Sequence, residues 1–273
     1  MTTDTSEKTN IIVLQTEFEE LKTEVEKLRT ELTMLVLERD DLLLQECRNI
    51  EMAYMLSVGA LEYKAYEIEC AILRIKRKAE LIQAKKNRQE KVNLEEIETA
   101  LDEEFAEYME KLEEQMGRMN EALNRSKGKM LTEKETLEMK KLYRIIVKEL
   151  HPDLHPDISE EKLELFYNAV MAYENGDLAR MKIICLMAED PALPDPGEDK
   201  LAFFMAERER LAELLQSVKA DIEQIKSEYP YTMKELVNSP EKTKERKAEL
   251  DEEIDQLNEI LATYKARIEV LLR

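Results

Sequence analysis

Both histidines of this 273-residue chain fall in one heptapeptide, His151-Pro-Asp-Leu-His-Pro-Asp157, and each is followed by Pro-Asp. Imidazole beside carboxylate suits three kinds of chemistry: general-base catalysis, metal ligation, or recognition of a charged partner. Catalysis would need a nucleophile or a Gly-rich phosphate loop, and neither accompanies the motif. Metal ligation is the sharpest rival, with two His and two Asp within seven residues. However, His-x3-His brings both rings to one side only in a continuous helix, which Pro152 and Pro156 forbid. The sequence therefore predicts no enzyme, no metal and no other cofactor. Recognition remains. Pro152 fixes its own φ, restricts His151 and lowers the entropy of ordering the loop. Asp153 is then free to accept a hydrogen bond from a partner's arginine. The second copy, His155-Pro-Asp157, reads either as a reinforcing tip or as a polar loop, with Asp157 or Ser159 capping the next helix. Capping preference favours the loop.

Two helices must hold this tip. Thr132 and Glu135 form a capping box, so a helix starts there, and Pro152 ends it at about Leu150. Met139, Leu142, Ile146 and Leu150 line one side of it, with Tyr143 and Ile145 at the edges. Lys140, Lys141, Arg144 and Lys148 gather on the opposite side by the 3.6-residue period. A second helix, from about Ser159 to Glu174, has its own apolar side in Leu163, Phe166, Val170 and Tyr173. The expected unit is an antiparallel pair with a proline-stiffened loop at its end and a basic stripe facing solvent, suited to an acidic partner surface. The turn Asn175-Gly-Asp177 and a helix near Leu178 to Met187 should complete it.

The segment Lys141-Leu-Tyr-Arg-Ile-Ile-Val-Lys-Glu-Leu-His-Pro-Asp153 resembles the second helix and HPD loop of J-domains, the DnaJ family. Tyr143 and Arg144 match the Tyr-Arg or Tyr-Lys pair eight and seven residues before the family's His. Phe166 with Ala172-Tyr173 is similar to the F-x5-A-Y pattern of its third helix. The resemblance covers about residues 132–190. It implies a co-chaperone that docks on a DnaK-type heat-shock chaperone and stimulates its ATP hydrolysis. On that reading His151, Pro152 and Asp153 form the stimulating tip, and Arg144, Lys148, Lys140 and Lys141 supply docking charges. Three features depart from the family. No first helix of the D-Y-Y-x-x-L-G type precedes Thr132, Ile145 and Glu149 stand where basic residues are common, and no Gly/Phe-rich or zinc-binding region follows. These keep a second reading open: a coiled-coil scaffold whose J-like hairpin is inactive.

The rest of the chain reads as helical arms. Charged residues make up 37% and aromatics 5%, with 5 Gly, 7 Pro and no Trp, the balance of long helices rather than of strands and turns. Leu14, Phe18, Leu21, Val25, Leu28, Leu32, Leu35 and, after Arg39, Leu42 form a four-three seam that needs a partner helix from this chain or another copy. A basic run from Arg74 to Lys91 lacks aromatic or Gly interleaving and reads as a solvated face paired with acidic neighbours. Asn93 should cap an acidic helix running to about Asn124 and folding back antiparallel on its predecessor, and a break should follow at Asn124–Lys129. Beyond a linker, Pro191–Gly197, the apolar residues of about 199–227 and those of Leu250 to Leu271 suggest a closing antiparallel hairpin.

The expected fold is therefore all-α: a coiled-coil region over 1–130, the J-like hairpin over 131–190, a linker over 191–198 and a helical hairpin over 199–273. A net charge of −20 argues against nucleic acid as partner. No segment is long and apolar enough for a membrane. The ten residues at the N-terminus lack a signal-peptide shape, and Cys47, Cys70 and Cys185 stand far apart, so a reducing, cytoplasmic setting is expected. Self-association through the seams is the one further partner implied.

Overall fold

The computed structural model of the chain describes residues 3–127, 131–188 and 200–273. Among these every regular element is helical: α1 (Thr3–Asp41), α2 (Cys47–Tyr54), α3 (Ala60–Asn87), α4 (Leu94–Glu104), α5 (Ala106–Lys127), α6 (Glu133–Leu150), α7 (Glu160–Glu174), α8 (Leu178–Met187), α9 (Lys200–Ser227), α10 (Lys234–Asn238) and α11 (Pro240–Leu272). Two π-helical turns, Leu42–Glu46 and Met55–Gly59, flank α2. The fold is all-α, as the composition predicts. No described helix is long and apolar enough to cross a membrane. The expected linker at 191–198 lies outside the described residues.

The chain forms two compact units, Met1–Arg48 with Lys129–Tyr231, and Asn49–Gly128 with Thr232–Arg273. The expected 1–130 region is divided between them at Arg48, and the two expected arms of the closing hairpin over 199–273 belong to different units. Instead α9 packs along α1 in the first unit, and α11 packs along α3 in the second. The physical reason is that a four-three seam specifies a partner face without specifying which helix supplies it.

In the first unit the predicted seam follows the buried face of α1 from Phe18 to Leu32, after which Val36 is buried where Leu35 was expected; Leu14 lies outside the described side chains. Leu21, Val25 and Leu32 are buried, with Leu28 and Leu35 packed at the margin. Opposite them lie Leu211, Leu215, Val218 and Ile222 of α9. The two helices run parallel, since Phe18 meets Phe204, Glu24 meets Arg208, Glu31 meets Lys219 and Glu38 meets Lys226. Burying each large aliphatic side chain along such a seam contributes about 1.5–3 kcal/mol. The same core continues into α6, α7 and α8 through Met139, Tyr143, Ile146, Phe166 and Met181.

In the second unit α3 and α11 also run parallel: Glu62 pairs with Arg246, Ile68 packs with Ile254, and Ile82 packs with Ile268. Ser239 caps α11 and Pro240 opens it, the start its sequence predicts. Asn93 caps α4 by accepting from the Glu95 amide. The chain folds back antiparallel on α3, with Arg74 bonded to Glu98 and Asp102, and Arg125 to Asn49. The acidic helix is interrupted at Phe105 and then runs through Lys127, three residues past its expected end at Asn124.

Candidate functional site

The tip is built from two well-terminated helices. Thr132 accepts from the Glu135 amide while the Glu135 carboxylate accepts from the Thr132 amide, completing the capping box. α6 ends at Leu150, and His151 takes an extended conformation (φ −67°, ψ 127°), which the following proline requires. Ser159 caps α7. The two helices are antiparallel: Tyr143 stacks on Tyr173 at 4.2 Å, and His151 meets the edge of Phe166 at 5.0 Å. α8 follows the left-handed turn at Gly176 and packs on both. Leu131 lies 3.6 Å from where a Cβ on Gly176 would stand, so its φ of +66° rather than crowding calls for glycine.

The basic stripe survives in part. Lys141, Arg144 and Lys148 are exposed on α6, and Lys141 and Arg144 have no ion-pair partner among the described residues. Lys148 lies 3.8 Å from Glu149 and remains largely in solvent. Lys140 differs: its Nζ donates to Asp41 of α1 at 2.7 Å. Ile145 is exposed beside the stripe.

The tip itself is enclosed. His151 is only 3% exposed. Its Nδ1 accepts from the Asp153 amide at 3.1 Å, and Arg39 of α1 aims Nη2 at its Nε2 from 3.3 Å. A neutral imidazole has one acceptor nitrogen, so only one of these two donors is met at a time. Burial holds the ring's pKa below its ordinary value, and Arg39 and His155 push the same way against Asp153 and Asp40. A protonated ring would have no acceptor for either donor. Arg39 also faces the Asp153 carboxylate at 3.7 Å.

A second arginine reaches the loop from α9. Arg210 donates to the Asp153 carbonyl at 2.8 Å and is held by Glu207, which Arg29 of α1 pairs from the other side. Burial disfavours the Glu207 charge, but hydrogen bonds from Arg210 and Arg29 outweigh it and keep the carboxyl below the usual range. Pro152 is half-buried between these contacts.

Behind the tip lies a buried polar layer that sequence reasoning missed. Tyr143 donates to Asp40 at 2.7 Å and Tyr173 to Asp41 at 2.8 Å. Asp40 is 7% exposed and also accepts from Arg39. Burial, reinforced by these carboxylates, drives both phenol pKa values far up, so both remain donors. In the adjoining π turn Gln45 donates to the Tyr173 carbonyl at 2.5 Å. One signal was present in the sequence: Arg39 stands where the four-three seam requires an apolar residue after Leu35.

His155 has a different part. Its Nε2 donates to the Lys148 carbonyl at 2.7 Å, satisfying an open carbonyl in the last turn of α6. The second His-Pro-Asp thus closes a helix end, although Ser159 rather than Asp157 caps α7. No group of three or more His, Cys, Asp or Glu side chains is placed to hold a metal ion among the described residues. The basic run on α3 is paired with acidic neighbours, Arg77 with Glu104, Lys78 with Glu98 and Lys85 with Glu90 and Glu96.

The chain matches no family model, no curated protein and no solved structure.

Proposed function

We propose that the chain is a J-domain co-chaperone, in which residues 131–190 dock on a DnaK-type chaperone and stimulate its ATP hydrolysis. The observation that carries this reading is the His151-Pro152-Asp153 turn at the end of an antiparallel helix pair, next to the exposed Lys141, Arg144 and Lys148. A cationic face draws an acidic partner surface in by long-range attraction, and a turn with a fixed φ meets it at small entropic cost. Asp153 supplies a carboxylate for a partner's guanidinium. The buried face of α1 is already covered by α9, which favours recruitment of a client or site over self-association as the arms' role.

A scaffold with an inactive hairpin is the second reading, supported by the burial of His151 and its engagement by Arg39. Steady-state ATP hydrolysis by a bacterial DnaK-type chaperone separates the two. The co-chaperone reading expects the full chain, at saturating concentration, to raise the rate, and the His151→Gln variant to leave it at its basal level. A chaperone indifferent to a saturating amount of the chain would contradict it and favour the scaffold.

A further inference from the structure

We infer that Arg39 of α1 and Arg210 of α9 form an autoinhibitory clasp on the His-Pro-Asp tip, which a docking partner must displace. The inference rests on the docking reading and concerns the regulation of that same site. A recognition tip offers a partner two things, an accessible imidazole and an unpaired carboxylate. Here Arg39 sets one guanidinium against both, and Arg210 holds the backbone of the loop. Arg39 stands 3.3 Å from the His151 ring and 3.7 Å from the Asp153 carboxylate, while Arg210 takes the Asp153 carbonyl at 2.8 Å. A cationic group from a partner would meet the tip at positions already filled by cations of the same chain.

The clasp is built to hold, and also to open. Arg210 is anchored by Glu207, and Glu207 by Arg29, so its guanidinium is positioned before it meets the loop. Arg39 is steadied by Asp40 at 3.2 Å. Against this, the Asp153 side chain keeps 35% exposure, and the contact to it is longer than a direct hydrogen bond. Arg39 and the Asp153 amide also compete for the one acceptor of a neutral His151. The grip at the outermost contact is therefore weaker than the buried Tyr143–Asp40 bond behind it, at 2.7 Å. Release of the two arginines can leave the hairpin seated on α1.

A closed state lowers apparent affinity by the fraction of molecules that are open, and leaves the effect at saturation unchanged. Full-length Arg39→Met and Arg210→Met variants keep much of each side chain's apolar stem and remove the cation. Titrated against the chaperone's ATPase, each should reach the parent's plateau at a half-maximal concentration about fivefold lower or more. His151→Gln added to either variant should abolish the effect. Arg39→Met leaves Asp40 with fewer partners, so helicity and melting are compared first. Arg210→Met spares that layer and decides the matter if the other variant is misfolded. Parent and variants with equal half-maximal concentrations would overturn the clasp while leaving the co-chaperone reading intact. No stimulation by the parent or either variant would instead remove the docking reading, and the clasp with it.

Discussion

The two units solve one packing problem with different polar chemistry. Each is built on a parallel helix pair, α1 with α9 and α3 with α11, and each carries helices that return against that pair. In the second unit the returning helices are tied by ion pairs in water: the Arg77 and Glu104 side chains are 42% and 47% exposed. In the first unit the ties are buried, with Tyr143 on Asp40 and His151 against Arg39. Exposed pairs orient a helix at a gain of about 0–1 kcal/mol each. A buried network fixes one arrangement, and losing a partner leaves a desolvated group exposed to its full cost. The polar specificity of this chain is thus concentrated behind the His-Pro-Asp tip, where the sequence also places its only histidines.

The largest effect expected from this contrast is at Asp40. Asp40→Ala strips Tyr143 of its acceptor and Arg39 of a partner, and should destabilise the first unit by about 2–4 kcal/mol. Hydrogen exchange of the α6 amides would register it, with the α3 amides as an internal reference. Equal protection in parent and variant would show that the buried Asp40 network does not hold the first unit.

A smaller effect is expected from pH. The His151 ring faces Arg39, Asp40, Asp153 and His155, and its folded pKa is depressed. The unfolded chain therefore takes up a proton near pH 6.5 that the folded ring refuses until lower pH. The contribution to stability is fully present above about pH 6.5 and falls as the pH drops below it. Comparing parent with His151→Gln between neutral and mildly acid pH isolates this ring from the carboxylates and from His155. A parent no more acid-sensitive than the variant would contradict the burial of a neutral imidazole. The smallest effect belongs to the second unit: Arg77→Ala should barely move its melting temperature, and any loss should shrink as salt rises. A larger loss at high salt would place a buried network there too.

What the sequence disclosed depends on the range of the interaction. The capping box at Thr132, the helix stop before Pro152 and the caps at Asn93 and Ser239 are local, and each stands where its residues indicate. The buried faces of α1, α9 and α11 followed from periodicity. Which faces meet did not, because Leu211 to Ile222 would cover Leu250 to Ile268 as readily as they cover the α1 seam. Arg39, Asp40 and Asp41 were overlooked for a related reason. Charged residues in a helical run ordinarily face water, and only the tyrosines opposite reveal that these are buried or half-buried. Of the basic residues expected to dock, Lys141, Arg144 and Lys148 were legible as a stripe, whereas the Lys140 pairing with Asp41 depends on a helix ninety-nine positions away.

The proposed role of the His151–Asp153 turn is to act on a chaperone's nucleotide cycle. Single-turnover hydrolysis of ATP preloaded on a DnaK-type chaperone tests it most directly, using the full chain and its Asp153→Asn variant at saturating concentration. Faster hydrolysis with the parent, lost in the variant while its helicity and melting are retained, is the predicted result. Hydrolysis at the basal rate with both proteins, or equally accelerated by both, would contradict the claim.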